Sequence, residues 1–256
     1  MLGAIAGDMI GAPYEQIPTK SKDINTVVAD FTDDTVLTVA VADWILNDTD
    51  CATTIKNYAR KYHNLPYGGL FRGWFNSSES KPYYSFGNGS AMRVSPVGFA
   101  YNSIDEVLNF ARRSAEVTHN HPEGIKGAQA TALAIFMSRM GTSKEDIRRE
   151  ISARFDYDLH RTVDAIRPGY SFDVSCQGSV PESIIAFLDS NSYMDAVKNA
   201  ISLGGDADTM ACIAGGIAQA WYKELPVDVV DEVRKRLAPD LWEVVKRFNT
   251  VYGCEL

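Results

Sequence analysis

Two short acidic segments, each followed directly by an apolar run, constrain this chain more than any other feature. One is Gly204-Gly205-Asp206-Ala207-Asp208-Thr209, which precedes the apolar residues 210–214. The other is Thr32-Asp33-Asp34-Thr35, which precedes an apolar helical pattern at residues 36–46. A glycine turn or a threonine before acids and an apolar run is typical of the start of a helix. The two segments therefore predict two buried helices that begin with carboxylates.

These acids have two interpretations. They can cap the helices and complement the helix dipole, which is the common role of an acid at a helix start. They can instead hold a divalent cation, because hard cations take carboxylate and hydroxyl oxygens as ligands. A cap needs one acid, whereas each segment has two. If the two helix starts meet in space, they offer six oxygen ligands, the set expected of a Mg²⁺ or Mn²⁺ site.

The bulk composition restricts the class of protein. The chain has 256 residues, of which 45% are hydrophobic and 23% charged, so we expect an ordinary globular core. The net charge is −8 and no basic run occurs, which argues against general binding to a nucleic-acid backbone. The first eight residues have no basic region and end at Asp8, so they predict neither a secretory signal nor a membrane span. We expect a cytoplasmic protein with reduced cysteines, and a monomer is compatible with the sequence.

Helical periodicity runs through the chain, and almost no stretch shows the alternation of a strand. We predict an all-α fold, a compact single-domain helical bundle over residues 1–256 with the metal centre in a central cleft. Asp50 is a predicted N-cap, and a further helix is predicted to start at Ser179. The other predicted helices span residues 2–15, 34–47, 51–63, 68–77, 103–118, 123–140, 143–153, 158–166, 192–203, 226–237 and 239–250.

Three further features bear on a site. The loop Ser85-Phe86-Gly87-Asn88-Gly89-Ser90 runs into an apparent helix start, where backbone amides can bind an anion, although it also fits an ordinary turn. His119 and His121 are two residues apart but lack the further Cys or His of a zinc site, so one is expected at a helix junction or at a cleft rim. Glu15 at the end of the first helix is either solvated or faces a cleft.

Taken together, these segments resemble the ADP-ribosylglycohydrolase family, which includes the dinitrogenase reductase activating glycohydrolase. The likeness covers nearly the whole chain, and the motifs stand in the family order. Ser85 stands where some bacterial members carry an aspartate, so no role of that aspartate is carried over. The segments that carry the resemblance are Gly7 to Ala12 with Glu15, Phe31 to Thr35, Gly87 to Arg93, Thr118-His119 and Gly204 to Thr209.

The resemblance implies a compact all-α fold that holds two Mg²⁺ or Mn²⁺ ions. It implies that Glu15 lies near the metals and the scissile bond, and that His119 lines the substrate cleft. The loop residues implied to meet the ribose and diphosphate are Gly87, Asn88, Gly89, Ser90 and Met92. The implied metal ligands are Thr32, Asp33, Asp34, Asp206, Asp208 and Thr209.

The reaction expected from the resemblance is hydrolysis at the anomeric carbon of ADP-ribose, through an oxocarbenium-like transition state. We expect the acid/base to be Glu15 or a metal-bridging aspartate, with Asp33 and Asp208 as candidates. The attached group stays open: arginine, serine, an acetyl ester, a guanidine or a nucleobase each fit. Two rival functions remain, a non-catalytic ADP-ribose-binding protein and a two-metal hydrolase of pyrophosphates or phosphoesters.

Overall fold

The computed structural model describes residues 1–254, and fifteen helices follow one another within them. No strand forms in this range, where one isolated antiparallel bridge pairs Gly87 with Ser175. The predicted all-α fold is therefore confirmed. The helices are α1 (Leu2–Gln16), α2 (Asp33–Asn47), α3 (Cys51–Lys61), α4 (Gly69–Asn76), α5 (Gly89–Met92), α6 (Ser95–Ala100), α7 (Ile104–Glu116), α8 (Pro122–Arg139), α9 (Lys144–Phe155), α10 (Val163–Ile166), α11 (Cys176–Leu188), α12 (Tyr193–Ile201), α13 (Ala207–Tyr222), α14 (Val227–Arg236) and α15 (Pro239–Tyr252).

Helices α1 and α13 pack backbone against backbone at the centre of the molecule. A Cβ atom added at Gly3 would lie 2.6 Å from the carbonyl oxygen of Gly215, and one added at Gly7 would lie 2.1 Å from that of Ala211. Four residues further along α1, the contact moves to Ala207. The two helices are therefore antiparallel, with matching four-residue steps. Since α1 ends where α13 begins, this register brings the end of α1 beside the acids at the start of α13.

Asp8 attaches the start of α2 to α1. Its carboxylate accepts hydrogen bonds from the backbone N–H and the hydroxyl of Thr32, at 3.1 and 2.8 Å. It also accepts from the N–H and the hydroxyl of Thr35, at 3.2 and 2.5 Å. Asp8 is fully buried. Both acidic helix starts are thereby held against α1.

One continuous cluster of buried apolar side chains extends from Met1 in the first turn of the chain to Phe248 in α15. Trp44, Phe75 and Phe187 are among the largest side chains that are fully buried in it. No helix in residues 1–254 is both long enough and apolar enough to cross a lipid bilayer.

Most helix bounds agree with the prediction to within two residues, and Asp50 caps α3 by accepting from the N–H of Thr53. The helix predicted over 158–166 is wrong in its first half, because only α10 forms there. Asp158 accepts a hydrogen bond from the N–H of His160, and such a local turn competes with helix formation. The predicted start at Ser179 is also wrong: α11 begins at Cys176, because the side chain of Ser175 caps it.

Candidate active site

A cleft of about 370 Å³ opens where α1 ends, α2 and α13 begin, and the loop before α5 passes. Of the predicted site residues, Thr32 and Ser90 do not line this cleft in the described chain. The remaining predicted residues line it: Glu15, Asp33, Asp34, Gly87, Asn88, Gly89, Met92, His119, Asp206, Asp208 and Thr209. The fold thus brings five separate parts of the sequence to one cavity.

Three carboxylates meet within the reach of a single cation. Glu15, Asp206 and Asp208 each place one carboxylate oxygen within 4.8 Å of the other two. Asp206 and Asp208 are buried, whereas Glu15 is half-buried at the end of α1. Asp33 and Asp34 line the same cleft from the start of α2. Among the described residues, this is the one group of three or more acidic, histidine or cysteine side chains whose ligand atoms lie this close together.

The electrostatics of the cleft favour an added positive charge. Burial and then the nearby carboxylate of Asp8 together raise the pKa of Asp33 to about 7. Burial and the carboxylate of Asp208 raise the pKa of Asp34 well above its usual range. The pKa of Glu15 is also raised, by burial first and then by Asp206. Several carboxylates in a common low-dielectric site destabilise one another unless a cation or protons compensate them.

An orphaned atom supports the same reading. Oδ2 of Asp34 is buried and has no hydrogen-bond partner among the described residues. Buried polar atoms are almost always partnered, so this oxygen is a candidate ligand for an ion or a water. The donor set of carboxylates and a threonine hydroxyl suits hard divalent cations such as Mg²⁺. The residues present therefore fit a divalent metal site.

Thr32 acts as a cap in this structure. Its hydroxyl donates to Asp8 and accepts from the N–H of Asp34 at 3.2 Å, so it is the N-cap of α2. Thr32 thus takes the capping role that the first interpretation gave to the acids of this segment, and its role as a ligand stays a prediction. At α13, by contrast, Asp206 occupies the N-cap position without a side-chain capping bond.

Sequence reasoning assigned no role to Asp8. The signal was available, because Asp8 is the one acid in an otherwise apolar, glycine-rich segment over residues 2–12. A charged residue inside a buried helix needs partners, and here two threonines supply them. The position of Asp8 therefore marks where α2 docks.

Asn88 holds the glycine loop in place. Its backbone N–H donates to the carbonyl of Val174 at 2.8 Å, and its Nδ2 donates to Oδ2 of Asp206 at 2.7 Å and to Oγ of Ser179 at 3.2 Å. Ser90 is fully buried and donates its hydroxyl to the carbonyl of Gly124 in α8, which explains why it does not line the cleft.

The two histidines of the 118–121 segment have different surroundings. His119 lines the cleft and is 5% exposed. His121 is the N-cap of α8, since its Nδ1 accepts from the N–H of Glu123 at 3.1 Å. Both environments foreseen for a histidine here therefore occur, one in each residue.

Arg93 also lines the cleft. From the sequence it was named only as the last residue of the segment Gly87 to Arg93, without a role of its own. It is fully buried, and its NH2 group donates to the carbonyl of Ser114 at 2.7 Å and to the hydroxyl of Thr118 at 2.9 Å. Among the described residues that line the cleft, it is the only lysine or arginine. Neither of its hydrogen-bond partners is acidic, so its charge can offset that of an anionic ligand.

Known proteins resemble this chain over most of its length. The family model described as ADP-ribosylglycohydrolase matches residues 1–254. ADP-ribosylhydrolase ARH3 of Mus musculus is 28% identical, over 87% of this chain and 82% of that protein. ADP-ribosylarginine hydrolase Tri1 of Pseudomonas putida strain GB-1 is 26% identical, over 95% of this chain and 76% of that protein.

The fold has a counterpart among solved structures. A chain described as "ADP-ribosylglycohydrolase-related protein complex" superposes with a TM-score of 0.76 at 23% identity, over 100% of this chain and 96% of that one. This likeness shows a shared all-α fold. Since the family model covers all but the last two residues, the chain belongs to the ADP-ribosylglycohydrolase family, and the predicted enzyme class, a glycohydrolase, is confirmed.

Proposed function

We propose that this protein is a metal-dependent hydrolase that cleaves the glycosidic bond at the anomeric carbon of ADP-ribose. It releases ADP-ribose from a modified protein side chain or from a small molecule. The observation that carries the proposal is the meeting of Glu15, Asp206 and Asp208 in one cleft that the glycine loop also lines. Carboxylates and backbone amides in one cleft suit a substrate with ribose hydroxyls and a diphosphate.

The residues proposed to hold two divalent ions, Mg²⁺ or Mn²⁺, are Thr32, Asp33, Asp34, Asp206, Asp208 and Thr209. When bound, such ions supply Lewis acidity, which lowers the pKa of a coordinated water and fixes neighbouring hydroxyl groups. The buried, unpartnered oxygen of Asp34 and the raised pKa values of the aspartates support this assignment.

Glu15 is the proposed general acid/base, with Asp33 and Asp208 as the other candidates. Its carboxyl group is half-buried and faces the cleft, and its pKa is raised by burial and by Asp206. A carboxyl group with a raised pKa can both carry and release a proton near neutral pH. Glu15 would give a proton to the leaving group or take one from the attacking water.

The glycine loop is the proposed diphosphate site. The N–H groups of Gly89 and Ser90 stand in the first turn of α5 and have no acceptor in the described chain. Gly87, Asn88, Met92 and His119 line the cleft beside them. The absence of side chains at Gly87 and Gly89 lets an anion approach the backbone.

Arginine is the proposed attachment site of the ADP-ribose. One relative carries the name ADP-ribosylarginine hydrolase, and the acidic cleft suits a guanidinium leaving group.

We further propose that residues 1–256 form one domain, because one apolar cluster joins α1 to α15. The cytoplasmic location and the monomeric state stay predictions.

The test is release of free ADP-ribose from an ADP-ribosyl-arginine peptide, with and without Mg²⁺ or Mn²⁺. Wild type and Asp208→Asn are compared with the matched control Asp105→Asn. Asp105 also stands in the first turn of a helix, but it is exposed and far in sequence from the cleft residues of α2 and α13. We expect metal-dependent release that is lost in Asp208→Asn and kept in Asp105→Asn. Full activity of Asp208→Asn would contradict the two-metal proposal.

The rival functions give different products. A pyrophosphate hydrolase would convert free ADP-ribose to AMP and ribose-5-phosphate. A binding protein would retain ADP-ribose without releasing product from ADP-ribosyl-arginine, ADP-ribosyl-serine or O-acetyl-ADP-ribose. Release from the serine or acetyl substrate alone would keep the glycohydrolase and exclude arginine as the attachment site.

A further inference from the structure

A chain of hydrogen bonds runs from the buried arginine to the histidine of the cleft. The NH2 group of Arg93 donates to Oγ1 of Thr118 at 2.9 Å, and Oγ1 of Thr118 lies 2.7 Å from Nδ1 of His119. Arg93 and Thr118 are fully buried, and His119 is 5% exposed. Solvent therefore has little access to any of the three groups.

The direction of the protons along this chain is determined by its first member. A guanidinium group has only donors, so the Thr118 hydroxyl must accept from Arg93. The hydroxyl then has one hydrogen to give, and in the described chain Nδ1 of His119 is its only other hydrogen-bond partner. If Nδ1 donated instead, the hydroxyl hydrogen would have no acceptor among the described residues. The arrangement that satisfies every group therefore has Nδ1 of His119 accepting and the proton of the neutral imidazole on Nε2.

The neutral form of His119 is favoured by its surroundings. Burial lowers the pKa of His119 well below its usual value, and the charge of Arg93 lowers it further. A protonated ring would need an acceptor at Nδ1, and the hydroxyl of Thr118 would then have no acceptor for its own hydrogen among the described residues. The ring therefore has one donor, and it lies on the side away from Thr118.

That side of the ring faces the glycine loop. A Cβ atom added at Gly89 would lie 3.2 Å from Nε2 of His119, and one added at Gly87 would lie 3.7 Å away. Nε2 has no hydrogen-bond partner among the residues that the structure describes. The unused donor is thus directed at the surface where the proposed function places the diphosphate and ribose.

We propose that Thr118 and Arg93 are positioning residues that hold His119 as the Nε2–H tautomer, so that it donates a hydrogen bond to an oxygen of the ligand on the Gly87–Gly89 loop. The donation step rests on the proposed function, whereas the tautomer is a property of the ligand-free protein. The ligand oxygen belongs to a phosphate or to a ribose hydroxyl.

The tautomer is tested first by NMR on the full-length protein labelled with ¹⁵N-histidine. Long-range ¹H–¹⁵N spectra distinguish a protonated ring nitrogen from an unprotonated one, and the signals of His119 are assigned by their loss in His119→Gln. We expect a single tautomer with the proton on Nε2 in the wild type. A proton on Nδ1, or a mixture of the two tautomers, would overturn the proposal without the need for any Thr118 variant.

The role of Thr118 is tested with Thr118→Val and Thr118→Ser. The valine variant removes the hydroxyl, so we expect a mixture of tautomers and an affinity for ADP-ribose about fivefold weaker, equivalent to one hydrogen bond. Serine keeps the hydroxyl and should restore both readouts. The matched control is Thr131→Val in α8, a buried threonine whose hydroxyl has no partner in the described chain.

The outcomes separate the inference from the function on which it rests. A wild-type tautomer that persists in Thr118→Val would overturn the role of Thr118. Unchanged ADP-ribose affinity in a variant with mixed tautomers would overturn the donation to the ligand. Absence of ADP-ribose binding by the wild type would overturn the proposed function, and the ring-nitrogen signals would still decide the tautomer.

Discussion

Asn88 donates a hydrogen bond of 2.7 Å from Nδ2 to Oδ2 of Asp206, although the two residues are 118 positions apart in the chain. The bond joins the glycine loop to the acidic cluster. The backbone N–H of the same asparagine donates to the carbonyl oxygen of Val174. The position of a candidate metal ligand and the position of the candidate diphosphate loop are therefore coupled through one amide group.

Asn88→Ala should weaken metal binding. The variant removes a donor that orients Asp206, and loss of such an outer partner lowers metal affinity by about 10- to 100-fold. Mn²⁺ titration followed by EPR measures the affinity directly. Asn76→Ala, an exposed asparagine that bonds only within α4, should bind Mn²⁺ as the wild type does. Unchanged affinity in Asn88→Ala would show that the amide does not support the site.

Gly7→Ala should destabilise the fold and displace the end of α1. The new methyl group would lie 2.1 Å from a carbonyl oxygen of α13, so the helices must separate. We expect a loss of about 2 kcal/mol or more in the free energy of unfolding, measured by urea denaturation. Gly73→Ala in α4 is the control, because no atom lies within 4 Å of its added methyl group. It should raise stability by up to about 1 kcal/mol.

If the Gly7 and Gly73 variants have the same stability, the close contact between α1 and α13 is wrong. The Gly7→Ala variant should also lose activity, because Glu15 lies two turns further along the same helix. Activity that survives in a folded Gly7→Ala protein would argue against a role of Glu15 in the reaction.

Asp8→Asn should destabilise the start of α2. The carboxylate accepts four hydrogen bonds from two threonines. In asparagine an NH2 group replaces one of the two oxygens, and this group cannot accept the hydrogen bonds that the oxygen accepted. We expect a loss of about 3 kcal/mol in the free energy of unfolding, in the range found for broken buried charge networks. The control is Asp23→Asn. Asp23 is exposed and its side chain has no partner in the described chain, so this change should alter the free energy of unfolding by less than about 0.5 kcal/mol.

The metal-free protein should lose stability as the pH rises from about 4 to 7. Burial raises the pKa of Asp33 from its ordinary value of 3.8 to about 7, so the folded state binds more protons than the unfolded state in this window. Thermal melts in a chelator should therefore show the wild type losing stability with rising pH relative to Asp33→Asn. The difference should exceed about 1 kcal/mol at pH 7.

Added Mg²⁺ should reverse this trend, because a bound cation favours the ionised carboxylates. The melting temperature of the wild type should rise with Mg²⁺ more at pH 7 than at pH 5. A Mg²⁺ effect that is equal at both values would mean that the ion does not bind at these carboxylates.

The residues of the site were largely visible before the fold. The acids at two helix starts, the glycine loop and His119 each carried a local signal, and the family resemblance assigned their roles. Thr32 and Ser90 do not line the cleft as predicted, because their hydroxyl groups donate hydrogen bonds to Asp8 and to the carbonyl of Gly124, respectively. A sequence records which side chain stands at a helix start, but the direction of a hydroxyl depends on the neighbouring helix.

Arg93 shows the same limit. Its position in the apparent helix start after the glycine loop did not reveal that it is buried beside Thr118. The sequence shows that residue 93 is an arginine and carries a charge. The burial of this charge follows from the packing of α7 and α8 around Arg93. The proton on His119 therefore depends on contacts between segments that are 25 residues apart.

By itself, the sequence determined the all-α class, most helix bounds and the capping of α3, because apolar period and capping chemistry are local properties. In the sequence, Gly3, Gly7 and Gly11 stand four residues apart, and this spacing lets another backbone pack close to one face of the helix. Only the tertiary structure decided that α13 covers this face in antiparallel register. That pairing brings Glu15 close to Asp206 and Asp208. A local sequence pattern does not encode which helix a given helix packs against, so it could not show that these two helix ends meet.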